Sequence, residues 1–363
     1  MKKILTVVGT RPNLIKITQF HKQAKAFGFE HKLVHTGQHF DHNMNDIFFQ
    51  ELNLPLPDFS MDVDKTSTIT QIAGIMIELE KVCQSYKPDI ILVVGDVNST
   101  FAAAFVANKL AIKCAHIESG LRSFDKEMPE ENNRILTDDI ANYFFITEKS
   151  GLEHLLKEGK EKESLFMVGN TMIDTLVAFD AEIDKSSILK TLKLESQKYV
   201  LITMHRPSNV DIKEGLDKIL NLIAELDGKF DVVFPIHPRT KNNFVKFGLE
   251  EKLNSLTNLK LIGPAGYLDF QKLIKEAKLV LTDSGGVQEE TTFRKVPCLT
   301  LRLNTERPST VEVGSNTLMH FDNEAILNQI DTIINGTYKK GQIPELWDGK
   351  STERIFEVLS KIV

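Results

Sequence analysis

The sequence predicts an α/β protein with two doubly wound, Rossmann-like domains. Short apolar runs alternate with amphipathic segments of helix length along the whole chain, a pattern typical of βαβ units and parallel sheets. This alternation starts again near residue 200. The length of 363 residues also exceeds what one hydrophobic core usually spans.

The first half contains six predicted strands, and residues 72–85 and 100–110 are among the helices between them. The strands are predicted at residues 4–8, 32–35, 90–94, 114–117, 143–146 and 165–168. The second half repeats the pattern, with helices at 212–226, 267–277 and 323–335 and strands at 200–204, 232–236, 260–262, 280–282, 297–301 and 317–320. We expect an N-terminal domain over residues 1–170, a C-terminal domain over 171–345, and a helix over 346–363 that packs back on the first domain.

The composition is that of an ordinary globular protein, 42% hydrophobic and 26% charged. A net charge of −6 disfavours nucleic acid and anionic membranes as partners. The basic, apolar N-terminus is interrupted at Gly9, so a first strand fits better than a signal peptide, and no apolar run approaches transmembrane length. We predict a cytoplasmic protein. Its cysteines form neither a disulfide framework nor a metal motif, and Cys114 and Cys298 are predicted in the core.

Residues 116–134 carry the most informative carboxylates. An apolar strand ends at Glu118, and Glu130 follows Pro129, where a helix would begin. Groups at the carboxyl ends of strands face the ligand crevice in open α/β sheets. Glu118 and Glu130 are therefore candidates for chemistry, with Arg122 and Arg134 nearby to meet an anion. A solvated loop with surface charges is the alternative.

Two further strand ends in the first half carry polar groups. Arg11 and Lys16 lie in a strand-to-helix turn, where a helix N-terminus and two cations would hold a phosphate; two surface cations are the alternative. The glycine spacing there is neither G-x-G-x-x-G nor a P-loop. Asp96 follows the apolar strand 90–94, and a buried acid needs a partner or a function. With Asn98 or Ser99 as the helix cap, Asp96 is left for chemistry.

The second half repeats these features. His205 and Arg206 end its first predicted strand, and His237 with Arg239 end the next. Residues 282–290 form the strongest motif, because a strand leads through Ser-Gly-Gly into a helix whose backbone N–H groups would bind a diphosphate. Glu290 would accept hydrogen bonds from ribose hydroxyls. A simple tight turn is the alternative.

Together these motifs resemble the non-hydrolysing UDP-N-acetylglucosamine 2-epimerases, which invert C2 of a nucleotide-linked N-acetylated sugar. The resemblance implies a glycosyltransferase-B type architecture with the substrate in the cleft between the domains. It also implies a homodimer that uses no NAD, no other cofactor and no metal. The matching motifs span residues 9–308 and read, in chain order, GTRPNLIK, HTGQHFD, GDVNST, HIESGLRS, MPEENNRILTD, VGNTMIDTL, MHRPSN, IHPRT, TDSGGVQEE and TERP.

The resemblance also implies roles for individual residues. Asp96, Glu118 and Glu130 would be the acid/base carboxylates, and His205 would support the leaving group. The loop before Pro129 looks shorter than in the familiar bacterial enzymes, and we align Glu130 rather than Glu131 with the catalytic position. The implied substrate contacts are Arg11, Lys16, Asp96, Glu118, His205, Phe270, Ser284, Gly285, Gly286, Glu290 and Arg307.

The implied reaction is epimerisation of UDP-N-acetylglucosamine to UDP-N-acetylmannosamine, or of a close analogue, for bacterial surface polysaccharide precursors. UDP is eliminated to give a 2-acetamidoglucal and is then added back. This route needs a carboxylate base and a proton donor on different sides of the ring. It also needs cations and helix N-termini for the charge on the diphosphate.

Four alternatives stay open. A UDP-2,3-diacetamido-2,3-dideoxy-glucuronic acid 2-epimerase is one, because residues 35–44 look closer to that subfamily. The others are a hydrolysing 2-epimerase, a glycosyltransferase of the same fold and a non-catalytic nucleotide-sugar binding protein. The last two would give Asp96, Glu118 and Glu130 no joint purpose.

The stretch at residues 37–44 also bears on regulation. In the common bacterial enzymes its equivalent helps to bind a second UDP-N-acetylglucosamine as an activator. Here Phe40 and Asp41 replace the expected cationic pattern, and Asp41 would repel a diphosphate. We therefore expect hyperbolic kinetics, although Arg239 would favour a retained activator site.

Overall fold

The computed structural model describes residues 1–38 and 48–363, which form two compact units. The first consists of Met1–Ala178 and Glu345–Val363, and the second of Phe179–Pro344. The regulatory role predicted from Phe40 and Asp41 falls on residues outside those described.

The first unit contains a seven-stranded parallel sheet. Its strands are β1 (Lys3–Val8), β2 (Glu30–His35), β3 (Phe59–Ser60), β4 (Ile90–Val94), β5 (Lys113–Ile117), β6 (Tyr143–Ile146) and β7 (Leu165–Met167). Their order in the sheet is β3-β2-β1-β4-β5-β6-β7. The two-residue edge strand β3 was not predicted, because it is too short to show a pattern.

Helices connect these strands, and a C-terminal helix, Ser351–Ile362, completes the first unit. Phe356 of that helix packs edge-on against Phe20, with ring centroids 5.8 Å apart. Asp174 caps the helix by accepting hydrogen bonds from the backbone N–H groups of Ser351 and Thr352. The connecting helices are α1 (Arg11–Lys16), α2 (Phe20–Ala26), α3 (Thr68–Tyr86), α4 (Asn98–Lys109), α5 (Pro129–Ile140), α6 (Lys149–Lys157) and α7 (Thr171–Ala178), with a 3₁₀ turn at Lys162–Ser164.

The second unit contains a six-stranded parallel sheet in the order β10-β9-β8-β11-β12-β13. These strands are β8 (Tyr199–Thr203), β9 (Asp231–Pro235), β10 (Leu259–Ile262), β11 (Leu279–Thr282), β12 (Cys298–Leu301) and β13 (Asn316–Met319). Its helices are α8 (Asp180–Asp184), α9 (Ile188–Thr191), α10 (Pro207–Val210), α11 (Lys213–Glu225), α12 (Pro238–Lys246), α13 (Glu250–Ser255), α14 (Tyr267–Glu276), α15 (Gly285–Arg294), α16 (Pro308–Glu312) and α17 (Asn323–Ile334).

Both sheets have the strand order of a Rossmann fold, and the predicted fold class is confirmed. In each sheet the winding direction changes at the central pair, β1 with β4 and β8 with β11. Ligands of such folds bind beside the carboxyl ends of the strands at this switch point. The central strands are apolar and buried on both faces, as parallel sheets covered by helices require. Cys114 and Cys298 lie in the cores, as predicted. No helix of the described residues is long and apolar enough to cross a membrane.

Candidate active site

Lys16 and Glu118 form a buried ion pair at the carboxyl edge of the first sheet. Lys16 ends α1, Glu118 follows β5, and the distance from Nζ to Oε2 is 2.5 Å. Glu118 has a positive φ of 68°, which turns the chain away from the strand at this point. Its other oxygen, Oε1, is buried and has no hydrogen-bond partner among the described residues. An unpaired carboxylate oxygen beside a cation is suited to accept a proton from a ligand.

Asp96 follows β4, the strand that pairs with β5, at the same edge of the sheet. The preceding residue, Gly95, has a φ of 69°, and a Cβ placed on it would lie 3.4 Å from Nζ of Lys16 and 3.5 Å from Oε2 of Glu118. Arg134 binds the Asp96 carboxylate, with its Nε and Nη2 atoms 3.0 Å and 2.7 Å from Oδ2. The first unit therefore places Asp96 and Glu118 at the ends of neighbouring strands, with Lys16 paired to Glu118.

Glu130 and Glu131 begin α5 but have different surroundings. Glu130 is exposed and makes no hydrogen bond or ion pair with the described residues. Glu131 is buried, accepts hydrogen bonds from the backbone N–H groups of Ser123 and Phe124, and pairs with Arg134 at 2.5 Å. The Glu131 carboxylate thus holds the loop before α5, whereas Glu130 is left for a ligand.

Two predicted anion contacts are wrong. Arg122 pairs with Asp138 at 2.8 Å and Glu158 at 2.7 Å, and Arg134 is engaged by Asp96 and Glu131. Both guanidinium groups are buried against carboxylates of the protein, so neither is placed to meet an external anion. Arg11, in contrast, is partly exposed at the start of α1 and makes no hydrogen bond or ion pair with the described chain.

The predicted cap of α4 is also wrong. The helix begins at Asn98, and the N-cap position is taken by Val97, which has no capping side chain. Ser99 instead donates to the Gln38 side chain at 2.7 Å, and Asn98 accepts a hydrogen bond from Asn133 at 3.2 Å.

A histidine that the sequence analysis missed lies beneath Asp96. His116, in β5, is fully buried between the Asp138 carboxylate and the Gly95 carbonyl. Burial acts to raise the pKa of Asp138, but His116 and Arg122 hold it below its ordinary value. A signal was present, because His116 interrupts an apolar strand two residues before Glu118.

His205 follows β8 in the second unit and is oriented by Asp283. Its Nδ1 lies 3.1 Å from Oδ1 of Asp283, and 48% of the side chain is exposed. Asp283 also accepts hydrogen bonds from the backbone N–H groups of His205 and Arg206 and from the Asn209 side chain. Burial acts to raise the pKa of Asp283, but these partners lower it, His205 foremost. Asp283 was not predicted as a site residue, although it stands in the TDSGG motif.

Ser284 occupies the N-cap position of α15, so the N–H groups of Gly285 and Gly286 lie at the start of a ten-residue helix. Such a helix start attracts anions. Arg307 is buried here and pairs with Glu289 at 2.9 Å and with Glu306. A Cβ on Gly285 would lie 3.0 Å from Nη1 of Arg307, so the arginine packs against this turn.

Glu290 and Phe270 complete the predicted contacts. Glu290 is buried in α15, and burial together with the neighbouring Glu289 raises its pKa to about 8. Phe270, in α14, is half-buried against the core around Tyr199 and Leu273. Among residues 1–38 and 48–363, no group of three or more His, Cys, Asp and Glu side chains is arranged to hold a metal ion.

Comparisons with known proteins agree with this architecture. The profile of the family described as UDP-N-acetylglucosamine 2-epimerase matches residues 21–360. The UDP-N-acetylglucosamine 2-epimerase of Methanocaldococcus jannaschii is 42% identical over 363 residues, and the match covers 99% of each chain. The UDP-2,3-diacetamido-2,3-dideoxy-D-glucuronate 2-epimerase of Pseudomonas aeruginosa is 37% identical, over 99% of this chain and 100% of that one.

Solved structures extend the agreement to three dimensions. The crystal structure of the M. jannaschii UDP-GlcNAc 2-epimerase in complex with UDP-GlcNAc and UDP superimposes with a TM-score of 0.90 at 42% identity, over 99% of each chain. The enzyme from Neisseria meningitidis bound to UDP-GlcNAc gives a TM-score of 0.89 at 31% identity, over 99% of this chain and 100% of that one. The resemblance seen in the motifs is confirmed, and the chain belongs to the UDP-N-acetylglucosamine 2-epimerase family of isomerases.

Proposed function

We propose that this protein interconverts UDP-N-acetylglucosamine, or a close analogue, with its manno epimer and does not hydrolyse it. The observation that carries the proposal is the buried Lys16–Glu118 pair at the carboxyl edge of the first sheet, with Asp96 at the end of the neighbouring strand. The full-length similarity to enzymes named for this reaction supports it. A surface-polysaccharide role for the product is the corresponding biological proposal.

The chemistry explains why several carboxylates are needed. H2 of the sugar is barely acidic, because C2 adjoins an acetal carbon and not a carbonyl group. A base removes H2 while the C1–O bond breaks and UDP leaves as an anion, which gives a 2-acetamidoglucal. UDP then re-forms the C1–O bond, and an acid delivers a proton to the opposite face of C2. Asp96, Glu118 and Glu130 are the proposed acid/base groups.

The second unit supplies the proposed nucleotide contacts. The N–H groups of Gly285 and Gly286, with Ser284 and Arg307, would bind the diphosphate, and Glu290 would bind ribose hydroxyls. His205 is oriented by Asp283 and would support the departing diphosphate. Phe270 would add an apolar wall, and Arg11 of the first unit, which pairs with no described residue, would add a cation. These groups offset the charge that develops when UDP leaves.

Turnover in deuterated water tests the proposal. With UDP-N-acetylglucosamine as substrate and no added metal or cofactor, the product should carry deuterium at C2, detected by proton NMR. Epimerisation with full retention of the C2 hydrogen contradicts the elimination route. The Glu130→Gln variant is the matched control, since it should bind UDP yet exchange no deuterium.

The same assay separates the remaining alternatives. Release of free N-acetylmannosamine and UDP would identify a hydrolysing enzyme, and turnover of the diacetamido-glucuronate analogue alone would identify the other substrate. UDP binding without turnover of either sugar would leave a binding protein. We further propose a cytoplasmic homodimer, for which light scattering of the purified protein should give twice the chain mass of 41.0 kDa.

A further inference from the structure

We propose that His116 is a positioning residue, an imidazolium that donates from both ring nitrogens and fixes the Gly95–Asp96 turn relative to Glu118. The inference rests on the proposed function for its kinetic part, and on hydrogen-bond geometry for its charge.

Both ring nitrogens of His116 face acceptors. Nδ1 lies 2.6 Å from Oδ1 of Asp138, and Nε2 lies 2.7 Å from the Gly95 carbonyl oxygen. A carbonyl oxygen can only accept, so Nε2 carries a proton. A carboxylate can only accept as well, so Nδ1 carries the second proton, and an imidazole that donates from both nitrogens is a cation.

Burial acts to raise the pKa of Asp138, but the charges of His116 and Arg122 hold it below its ordinary value, so the carboxyl is ionised. The Gly120 N–H donates to Oδ2 at 3.0 Å, and the Arg122 guanidinium lies 2.8 Å from the same atom. Arg122 is in turn held by Glu158. Two cations and two carboxylates therefore alternate from His116 to Glu158, which offsets the cost of burying the imidazolium.

The imidazolium joins the two strand ends that carry the catalytic carboxylates. It lies on β5, two residues before Glu118, and its Nε2 lies 2.7 Å from the carbonyl oxygen of Gly95 after β4. The Gly95 N–H donates to the Ile117 carbonyl at 3.0 Å, so both ends of this glycine are fixed to β5. Removing the imidazolium frees the Gly95 carbonyl and lets the following Asp96 shift relative to Glu118.

The charge is tested by NMR of the wild-type protein labelled with ¹⁵N-histidine. At pH 8 exposed histidines are neutral. We expect the His116 ring to show protons on both nitrogens, in a signal assigned through ring-to-backbone correlations and absent in His116→Gln. His31 is the internal control: burial lowers its pKa to about 4, so its ring is neutral. A neutral His116 overturns the charge assignment.

The positioning role is tested by kinetics. His116→Gln should lower kcat by roughly tenfold to a hundredfold, the scale for a displacement of about 1 Å in a reacting group. The Kd for UDP should stay within about twofold, because the proposed diphosphate turn at Ser284 and the proposed ribose contact Glu290 lie in the second unit. His31→Gln, a matched substitution in β2, should leave kcat unchanged. An unchanged kcat in folded His116→Gln overturns the positioning role. A wild-type protein that epimerises neither UDP-N-acetylglucosamine nor its diacetamido-glucuronate analogue contradicts the proposed function instead, and the NMR result on the His116 charge is unaffected.

Discussion

Lys16 and Glu118 lie 102 residues apart in the sequence, yet their side chains meet with 2.5 Å between Nζ and Oε2. The two side chains are only 6% and 2% exposed. Neither charge is solvated, so each depends on the other. The pair therefore contributes to stability and to the proposed chemistry at once, and the two contributions are separable by substitution.

Lys16→Met should lower the free energy of unfolding by about 3–5 kcal/mol, because it leaves the Glu118 carboxylate buried without a counter-charge. The double variant Lys16→Met/Glu118→Gln removes both charges and should recover most of that loss in urea denaturation. Its epimerase activity should stay at least about a hundredfold below the wild type. A Lys16→Met variant as stable as the wild type would contradict a buried ion pair between Lys16 and Glu118.

The neighbouring carboxylates Glu130 and Glu131 should respond in opposite ways to the same substitution. Glu130→Gln should lower kcat by about a hundredfold or more, with unchanged stability, because Glu130 is exposed and bonds to no described residue. Glu131→Gln should lower the free energy of unfolding by about 2 kcal/mol or more, since it weakens charge-assisted hydrogen bonds to Ser123, Phe124 and Arg134. Thermal denaturation and initial rates of both variants give the comparison. If Glu130→Gln had a normal rate and Glu131→Gln were stable but inactive, Glu131 and not Glu130 would align with the catalytic position of the family.

The sequence was sufficient for the fold because the central strands are apolar on both faces. Strands such as β4 stand out as uninterrupted apolar runs of strand length. The same local pattern located Asp96, Glu118 and Ser284, which lie where apolar strands end. The short strand β3 pairs through two residues and carries no such pattern.

The partners of charged residues could not be predicted in this way. Arg134 contacts Asp96, 38 residues earlier in the chain, and Arg122 contacts Glu158, 36 residues later. Such pairs depend on how helices pack on the sheet, which periodicity does not encode. The arginines near the proposed catalytic carboxylates therefore suggested an anion site, whereas in the structure they pair with carboxylates of the protein.

At the proposed diphosphate site, Gly285 leaves no room for a methyl group unless the Glu306–Arg307 ion pair moves. A Cβ there would lie 2.7 Å from Oε1 of Glu306 and 3.0 Å from Nη1 of Arg307. Gly285→Ala should displace this ion pair and raise the Kd for UDP about tenfold, or about 1.4 kcal/mol, as measured by calorimetry. Gly263→Ala is the control, because nothing lies within 4 Å of its added Cβ. Equal UDP affinity in both variants would argue against a diphosphate at this turn.

Glu290 should couple stability and UDP binding to pH. Its pKa is raised from 4.5 to about 8, so between these values the native protein holds a proton that the unfolded chain has lost. The unfolded state therefore binds fewer protons than the native state in this window. As a result, the contribution of Glu290 to stability falls as the pH rises from about 4.5 to 8. Urea denaturation at about pH 5 and about pH 8 should show this loss of unfolding free energy in the wild type. Glu290→Gln should remove this part of the pH dependence.

Ribose hydroxyls that donate to Glu290 would favour its ionised form, so UDP binding near pH 7 should release a proton. Calorimetric titrations in two buffers of different ionisation enthalpy should give different apparent binding enthalpies for the wild type. The difference should shrink in Glu290→Gln, whose amide cannot ionise. Proton uptake on binding, or the same release in the variant, would mean that UDP does not engage this carboxylate. Because the ionised form binds the ribose and the neutral form stabilises the empty protein, the affinity for UDP should rise with pH up to about 8.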